Sequence, residues 1–467
     1  MMKDSYKKES PILSLQSLGG GSNGLLSSGG VGDHFYFTFP TGGNYPQPYD
    51  IQLDSSGNLY VCGKKDTSAG FVLKFNSKGA LQWGKEYNTS AIEFYGIEVD
   101  SSGNVYVAGS IQNYGFWFFV MKYNSSGVIQ WERQLGNTTS GHDHTNYCLT
   151  IDGGSNVYLG GKEDYGGSND PMFFAKWNSS GTLQWQKRLQ LGTYLDTVHS
   201  MDAEGGGNRL YVTGLTYQPT GSANIYIGMI TQSSGSHFYS RLIRGNNGAG
   251  NATYRNFDCA THGSGVYVAA SVHGADAHGG GHDILVTKYN SSGSEQWCRI
   301  IGSTSNAEYV RGIATDSSGN CYVIGYNDSF NVILLKLNSS GVLQWQRTFS
   351  GTGNEFISGP AIKVDDSGSF YFSAQTTTPI GGANTPRHCM IVKLPVDGSL
   401  TGTYGDFTYA ASSYLDSPRG SFSNISVSSS TSVGPTMTTT SFSESAHTSA
   451  YGDTAFNPTF SELTYFD

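Results

Sequence analysis

Short apolar runs of four to six residues, each bounded by Gly, Asn and Ser, recur along most of the chain in groups of four. In one group Gly96-Ile97-Glu98-Val99-Asp100 and Val105-Tyr106-Val107-Ala108 precede Phe118-Phe119-Val120-Met121-Lys122-Tyr123 and Val128-Ile129-Gln130-Trp131. β-Branched and aromatic residues in runs of this length, between turn formers, predict strands. The groups share a cassette: Asp-Ser-Ser-Gly-Asn, an apolar-Tyr-apolar strand ending near Gly, a second apolar strand, Asn-Ser-Ser-Gly, then Leu-Gln-Trp. Its tyrosines are Tyr60, Tyr106, Tyr158, Tyr211, Tyr267, Tyr322 and Tyr371, spaced 46 to 56 residues apart. Four short strands repeated at such a period predict an all-β, seven-bladed β-propeller with four-stranded antiparallel blades and non-repeating N- and C-terminal arms.

The period divides the chain into a Gly-rich N-terminal arm (1–30), a ring (31–405) and a Ser/Thr-rich C-terminal segment (406–467). The fourth strand carries Trp83, Trp131, Trp185, Trp297 and Trp345, with Tyr239 in the fourth unit, and a large ring at one fixed place predicts packing between neighbouring sheets. The seventh unit lacks that ring after Leu394-Pro395-Val396-Asp397-Gly398. The stretch Ser27 to Phe39 imitates the missing piece, with Tyr36 expected in the tryptophan's place. Strand 35–39 is therefore expected to close the last blade beside 389–394, leaving no bare edge at the seam. Completion from the C-terminal side by 400–410 is the alternative.

Composition narrows the function. The chain has 467 residues, 13% charged and 13% aromatic, with 63 Gly and a net charge of -9. Without a basic cluster, nucleic acid is not an expected partner, and acidic substrates are disfavoured. No apolar run reaches membrane-spanning length, and the opening residues do not form a secretory h-region. The six cysteines fall singly in predicted strands, which points to buried free thiols and a protein made in a reducing cytoplasm.

Antiparallel order puts the cassette turns on one face and the variable loops on the other. Six turns begin with a carboxylate (Asp54, Asp100, Asp152, Glu204, Asp316, Asp365), best read as acceptors of the turn's own N–H groups. The repeated third-strand lysines (Lys74, Lys122, Lys176, Lys288, Lys336, Lys393) read as solvated or carboxylate-paired. On the variable face, Tyr87, Asp164, Tyr165, Tyr194, Tyr217, Tyr254, Arg255, Tyr309 and Arg387 are the candidate binding residues, since exposed Tyr and polar loops on a rigid scaffold suit sugar stacking and adaptable contacts. His273, His278 and His282 share a loop with two aspartates, but four glycines and a spacing unlike metal motifs favour a solvated loop, and no metal or cofactor is expected. Phosphate-loop, nucleophile-elbow and zinc-protease motifs are missing, so no enzymatic activity is expected.

The C-terminal segment alternates polar and apolar residues yet is too poor in hydrophobes to form its own core, so it is either disordered or an added strand on another subunit. Its aromatic end (Tyr451, Phe456, Phe460, Tyr465, Phe466) favours docking on a partner. The cassette Asp-Ser-Ser-Gly-Asn-apolar-Tyr-Val-X-Gly resembles the bacterial seven-bladed β-propeller repeat family over about 50–400. The continuation from Thr401 to Ala410 into the Ser/Thr-rich end is similar to propeller proteins of marine tailed phages that infect cyanobacteria. That second resemblance implies a virion structural protein of the tail or its appendages, assembled in the host cytoplasm within a symmetric oligomer. Its implied partners are other virion proteins and a host surface glycan. A secreted or cell-surface carbohydrate-binding propeller is the runner-up, and a polysaccharide-acting enzyme with Asp164, Tyr254 or His278 at work is the third reading.

Overall fold

The computed structural model describes residues 34–39, 46–65, 69–87, 92–112, 116–136, 144–163, 170–191, 196–217, 223–244, 257–273, 278, 281–379 and 387–418, and the segments 423–426, 436–439, 443–446, 454–455 and 464–465. These residues form strands and turns, with no helix among them.

Seven antiparallel sheets stand in a ring, one per cassette. Blade 1 is Gln47–Leu53, Leu59–Lys64, Gly70–Phe75 and Leu81–Tyr87, numbered here from the axis outward. The inner strands of blades 2 to 6 are Ile92–Val99, His144–Ile151, Asp196–Ala203, Phe257–His262 and Glu308–Thr315; that of blade 7 is split into Glu355–Phe356 and Ile362–Val364. Successive inner strands lie against one another and the seventh meets the first, which closes the circle. Apolar clusters fill the spaces between adjacent sheets, and the cassette tyrosines are among the largest fully buried side chains.

Phe35–Phe39 closes blade 7 by pairing with His388–Pro395. The alternative segment goes elsewhere, because Gly402–Tyr404 and Phe407–Ala411 extend blade 6. One detail differs from expectation: Phe35, not Tyr36, sits opposite Lys393, where the other blades have Trp83 opposite Lys74 and Trp345 opposite Lys336. A one-residue shift turns a side chain to the other face of a sheet. Tyr36 instead packs against Phe407, with ring centroids 5.1 Å apart.

The cassette is a single bonded unit. Asp100 accepts the N–H groups of Ser102 and Asn104 on Oδ1, and the Asn104 amide and Tyr106 hydroxyl on Oδ2. Lys122 Nζ lies 5.0 Å above the Tyr106 ring and donates to the Ser179 carbonyl of the next blade. The repeated lysines are cation–π partners of the tyrosines; most are part-exposed and reach a carbonyl of the next blade, with Lys393 buried, so the expectation of a solvated residue holds in part and the partners are ring and carbonyl. Trp131 Nε1 donates to the same Ser179 carbonyl, so each tryptophan is a bolt to the following blade's turn. The glycine in that turn has to be glycine: Gly341 has φ +78°, and a Cβ there would fall 2.5 Å from the Trp297 ring. All six cysteines are buried free thiols.

The C-terminal segment runs back round the ring. Phe407–Ala411, Leu415–Pro418, Ser423–Ser426, Thr436–Thr439, Ser443–Ala446, Thr454–Ala455 and Thr464–Tyr465 add an antiparallel strand to blades 6, 5, 4, 3, 2, 1 and 7 in that order. Here the acceptor of the added strands is the chain's own ring, not another subunit, since every outer strand offers an edge that one more strand can pair. Tyr465 pairs with Phe35 in this way, while Tyr451, Phe456, Phe460 and Phe466 lie outside the described residues.

Candidate binding face

The inner strands share a backbone irregularity that the sequence reading missed. In five blades the ladder to the second strand skips one residue near the variable face, leaving Tyr49, Tyr95, Tyr147, His199 and Arg311 as the extra residues of β-bulges. A bulge bends a strand and re-aims a side chain, and bulges concentrate beside functional sites. The cassette's glycine makes room for it. A Cβ at Gly63, Gly109, Gly214 or Gly325 would lie within 2.1 Å of a carbonyl oxygen of the bulged strand. Blade 5, with Ala270 opposite Phe257, has no bulge. That glycine, together with an aromatic residue five positions before each turn carboxylate in the first three blades, was the available signal.

Around the channel mouth three of them, Tyr49, Tyr95 and Arg311, join neighbouring rings in an arc. Tyr49 and Tyr95 are in contact (centroids 5.0 Å apart), and Glu93 accepts both hydroxyls while pairing with Lys64 at 2.9 Å. Burial and then the Glu93 charge push the Tyr49 hydroxyl well above its usual range, with the Arg311 guanidinium opposing. Arg311 covers the Tyr326 ring at 5.3 Å; Tyr326 stacks on Tyr309 at 5.1 Å, and Tyr309 meets His282 at 4.8 Å. Outward the series continues through Phe330, held at φ +57°, to Phe356, which Arg387 covers at 5.2 Å. In blade 7 the split inner strand puts Gly359 and Pro360 where the others carry bulge side chains, so the arc has a notch between Tyr49 and Arg311.

Below the mouth, a cavity of about 180 Å³ on the ring axis is lined by Asp50, Glu98, Asp202, Asp258 and Lys363. The carboxylates tie blades together: Asp50 accepts the Ile97 N–H, Asp258 the Ile313 N–H, and Asp202 the Thr261 N–H and hydroxyl, each across a blade boundary. Burial raises Asp50, Glu98 and Asp258 to about 7. It opposes the charge on Lys363 as well, but the surrounding carboxylates outweigh burial and hold that ammonium above its usual range.

The expected binding residues separate. Tyr309 and Arg387 belong to the arc. Tyr87 does not: it is 1% exposed and packs on Phe94 and Phe119, because its strand end turns inward between blades. Tyr217 packs on the edge of the core between blades 4 and 5. Asp164, Tyr165, Tyr194, Tyr254 and Arg255 lie outside the described residues. The histidines have separate engagements. The His278 backbone N–H donates to Asp283 and its ring Nε2 is 3.2 Å from the Ile300 carbonyl oxygen, whereas the His282 ring lies tilted against Tyr309. His273 is opposite His282 in the ladder. Among the described residues no three His, Cys, Asp or Glu side chains gather as metal ligands.

The fold is that of a seven-bladed β-propeller. A family model described as beta-propeller repeat matches residues 296–330. No curated protein sequence matches the chain. Similar solved structures include an ulvan lyase of polysaccharide lyase family PL25 (11% identity, TM-score 0.49, 78% of this chain and 96% of that one) and the phage phi92 endosialidase (11%, 0.42, 79% and 70%). The quinohemoprotein alcohol dehydrogenase from Comamonas testosteroni is another (11%, 0.42, 73%); this chain spans 65% of its length. At such identities the likeness concerns the fold alone.

Proposed function

We propose that this propeller is a binding, non-catalytic structural component of a tailed-phage virion, in the tail or an appendage, and that its channel-mouth face meets host surface glycan. The arc of half-buried side chains carries the reading: Tyr49, Tyr95, Tyr309 and Arg311 on bulged inner strands, with Tyr326 and His282 packed beside them. Tyrosines supply amphipathic contact surface with little conformational entropy to lose, and bulges hold them on the most rigid part of the ring. The C-terminal strands form a belt round the ring, and this belt bears on the structural role by covering the fourth-strand edge of every blade. A secreted or cell-surface carbohydrate-binding propeller has the same claim on the mouth and differs in where the protein resides.

Two measurements on one sample test this. Mass spectrometry of purified particles is expected to find the chain, and its absence would leave the carbohydrate-binding propeller as the surviving reading. A glycan array probed with the full chain is expected to give hits that Tyr309→Ala lowers at least tenfold. Hits unchanged by that substitution would remove the mouth from the account.

A further inference from the structure

The belt is firmly fixed at one end and loosely at the other. At its start Phe407 and Tyr409 are 1% and 0% exposed, and Phe407 contacts Tyr36 and Phe349. On blade 5, Asp416 makes a two-point ion pair with Arg299 at 2.6 and 2.8 Å. Beyond that, the strands read Ser-Asn-Ile-Ser, Thr-Met-Thr-Thr and Ser-Glu-Ser-Ala, paired over four residues each, and the last two pair over only two. Each of these strands carries a single apolar residue, Ile425, Met437 or Ala446, so little in its pattern fixes its register, which is the condition for alternate pairing and swapping. A bare edge ladder accepts any strand that offers N–H and C=O groups. Here, though, seven edges stand at ring pitch and the belt meets them with strands begun 7 to 13 residues apart, so a whole-ring occupant needs the same spacing. Only a second copy of this chain has that spacing by construction.

We propose that the belt beyond Pro418 exchanges between copies: the outer edges of blades 4 to 1 and 7 take the tail strands of a second ring, linking rings through a shared belt. Exchange breaks and remakes the same ladder bonds, so the balance turns on local concentration, which packing of many copies in one assembly raises. Phe407–Ala411 stays on its own ring and sets the length of the link.

The ladder places Arg188 opposite Thr438, and the native thiols are buried, so engineered cysteines report the pairing. In the full chain, the double variant Arg188→Cys, Thr438→Cys is expected to cross-link within one chain under mild oxidation. An equimolar mixture of the two single variants is expected to give a disulfide dimer on a non-reducing gel. Its yield should rise with protein concentration and exceed at least tenfold that of Arg188→Cys mixed with Ser445→Cys, whose ladder partner is Gln134. A double variant that cross-links while the mixed singles stay at the mismatched background would overturn exchange. Failure of the double variant to cross-link would overturn the belt pairing on which exchange depends.

Discussion

The two ends of every blade solve different problems with the same strands. At the turn end, side-chain chemistry repeats: carboxylate, tyrosine, lysine and tryptophan form a relay within one blade and onto the next. At the mouth end the backbone repeats and the side chains do not, since five blades share a bulge that carries Tyr, Tyr, Tyr, His and Arg in turn. Closure of the ring needs identical joints. Recognition needs a constant frame that displays different groups.

If the turn end is purely structural, the largest stability loss belongs there. Tyr106→Ala is expected to cost about 4 kcal/mol, because it empties a fully buried site, whereas Tyr106→Phe, losing the hydroxyl's bonds to Asp100 and Ser155, costs about 1 kcal/mol. Denaturant titration of the pair checks this, and a small loss for the alanine variant would dissolve the contrast between the ends.

Lys363→Met comes next and tests the channel between them. With buried carboxylates near 7, the folded state holds protons that the unfolded state releases above about 4, so their contribution to stability falls as pH rises toward 7. At pH 8 the anions face no ammonium in the variant, and the cost is about 3 kcal/mol. At pH 5 most are protonated and the cost shrinks. Melting curves at the two pH values should differ in that sense; the reverse order would mean that Lys363 does not counter them.

Gly325→Ala probes the frame at the mouth. A Cβ 2.1 Å from the Tyr309 carbonyl has to push the bulge aside, at about 2 kcal/mol, and it should weaken ligand binding at Tyr309 and Arg311 as well. Ala270→Gly, where no bulge exists, should cost under 1 kcal/mol and leave binding alone. Tyr309→Ala should likewise change stability by about 1 kcal/mol or less while lowering the glycan-array signal at least tenfold, since its ring is half-buried among other rings.

Much of this division was legible in the cassette. Strand order, blade count, the seam strand and the turn carboxylates follow from period and turn chemistry, which are local. The tryptophan's place falls on Phe35 and not Tyr36: Phe35 stands as far before Thr38-Phe39 as Trp345 does before Thr348-Phe349, and the ladder sets it opposite Lys393. The mouth was hidden because a bulge is an agreement between two strands: Gly109 looks like a flexible strand end until Glu93 lies across from it. The tail read as strand-forming, yet one apolar residue per short strand names no partner, and its acceptor emerged only from the ladder.

The order of the belt has a consequence for synthesis. A ribosome finishes all seven blades before the chain that covers them emerges. At roughly 5 to 20 residues per second, the final stretch leaves the outer edges bare for several seconds in every molecule made. In a crowded polysome, neighbouring nascent rings then expose matching edges just as their tails appear, and the proposed exchange would have its first opportunity during translation.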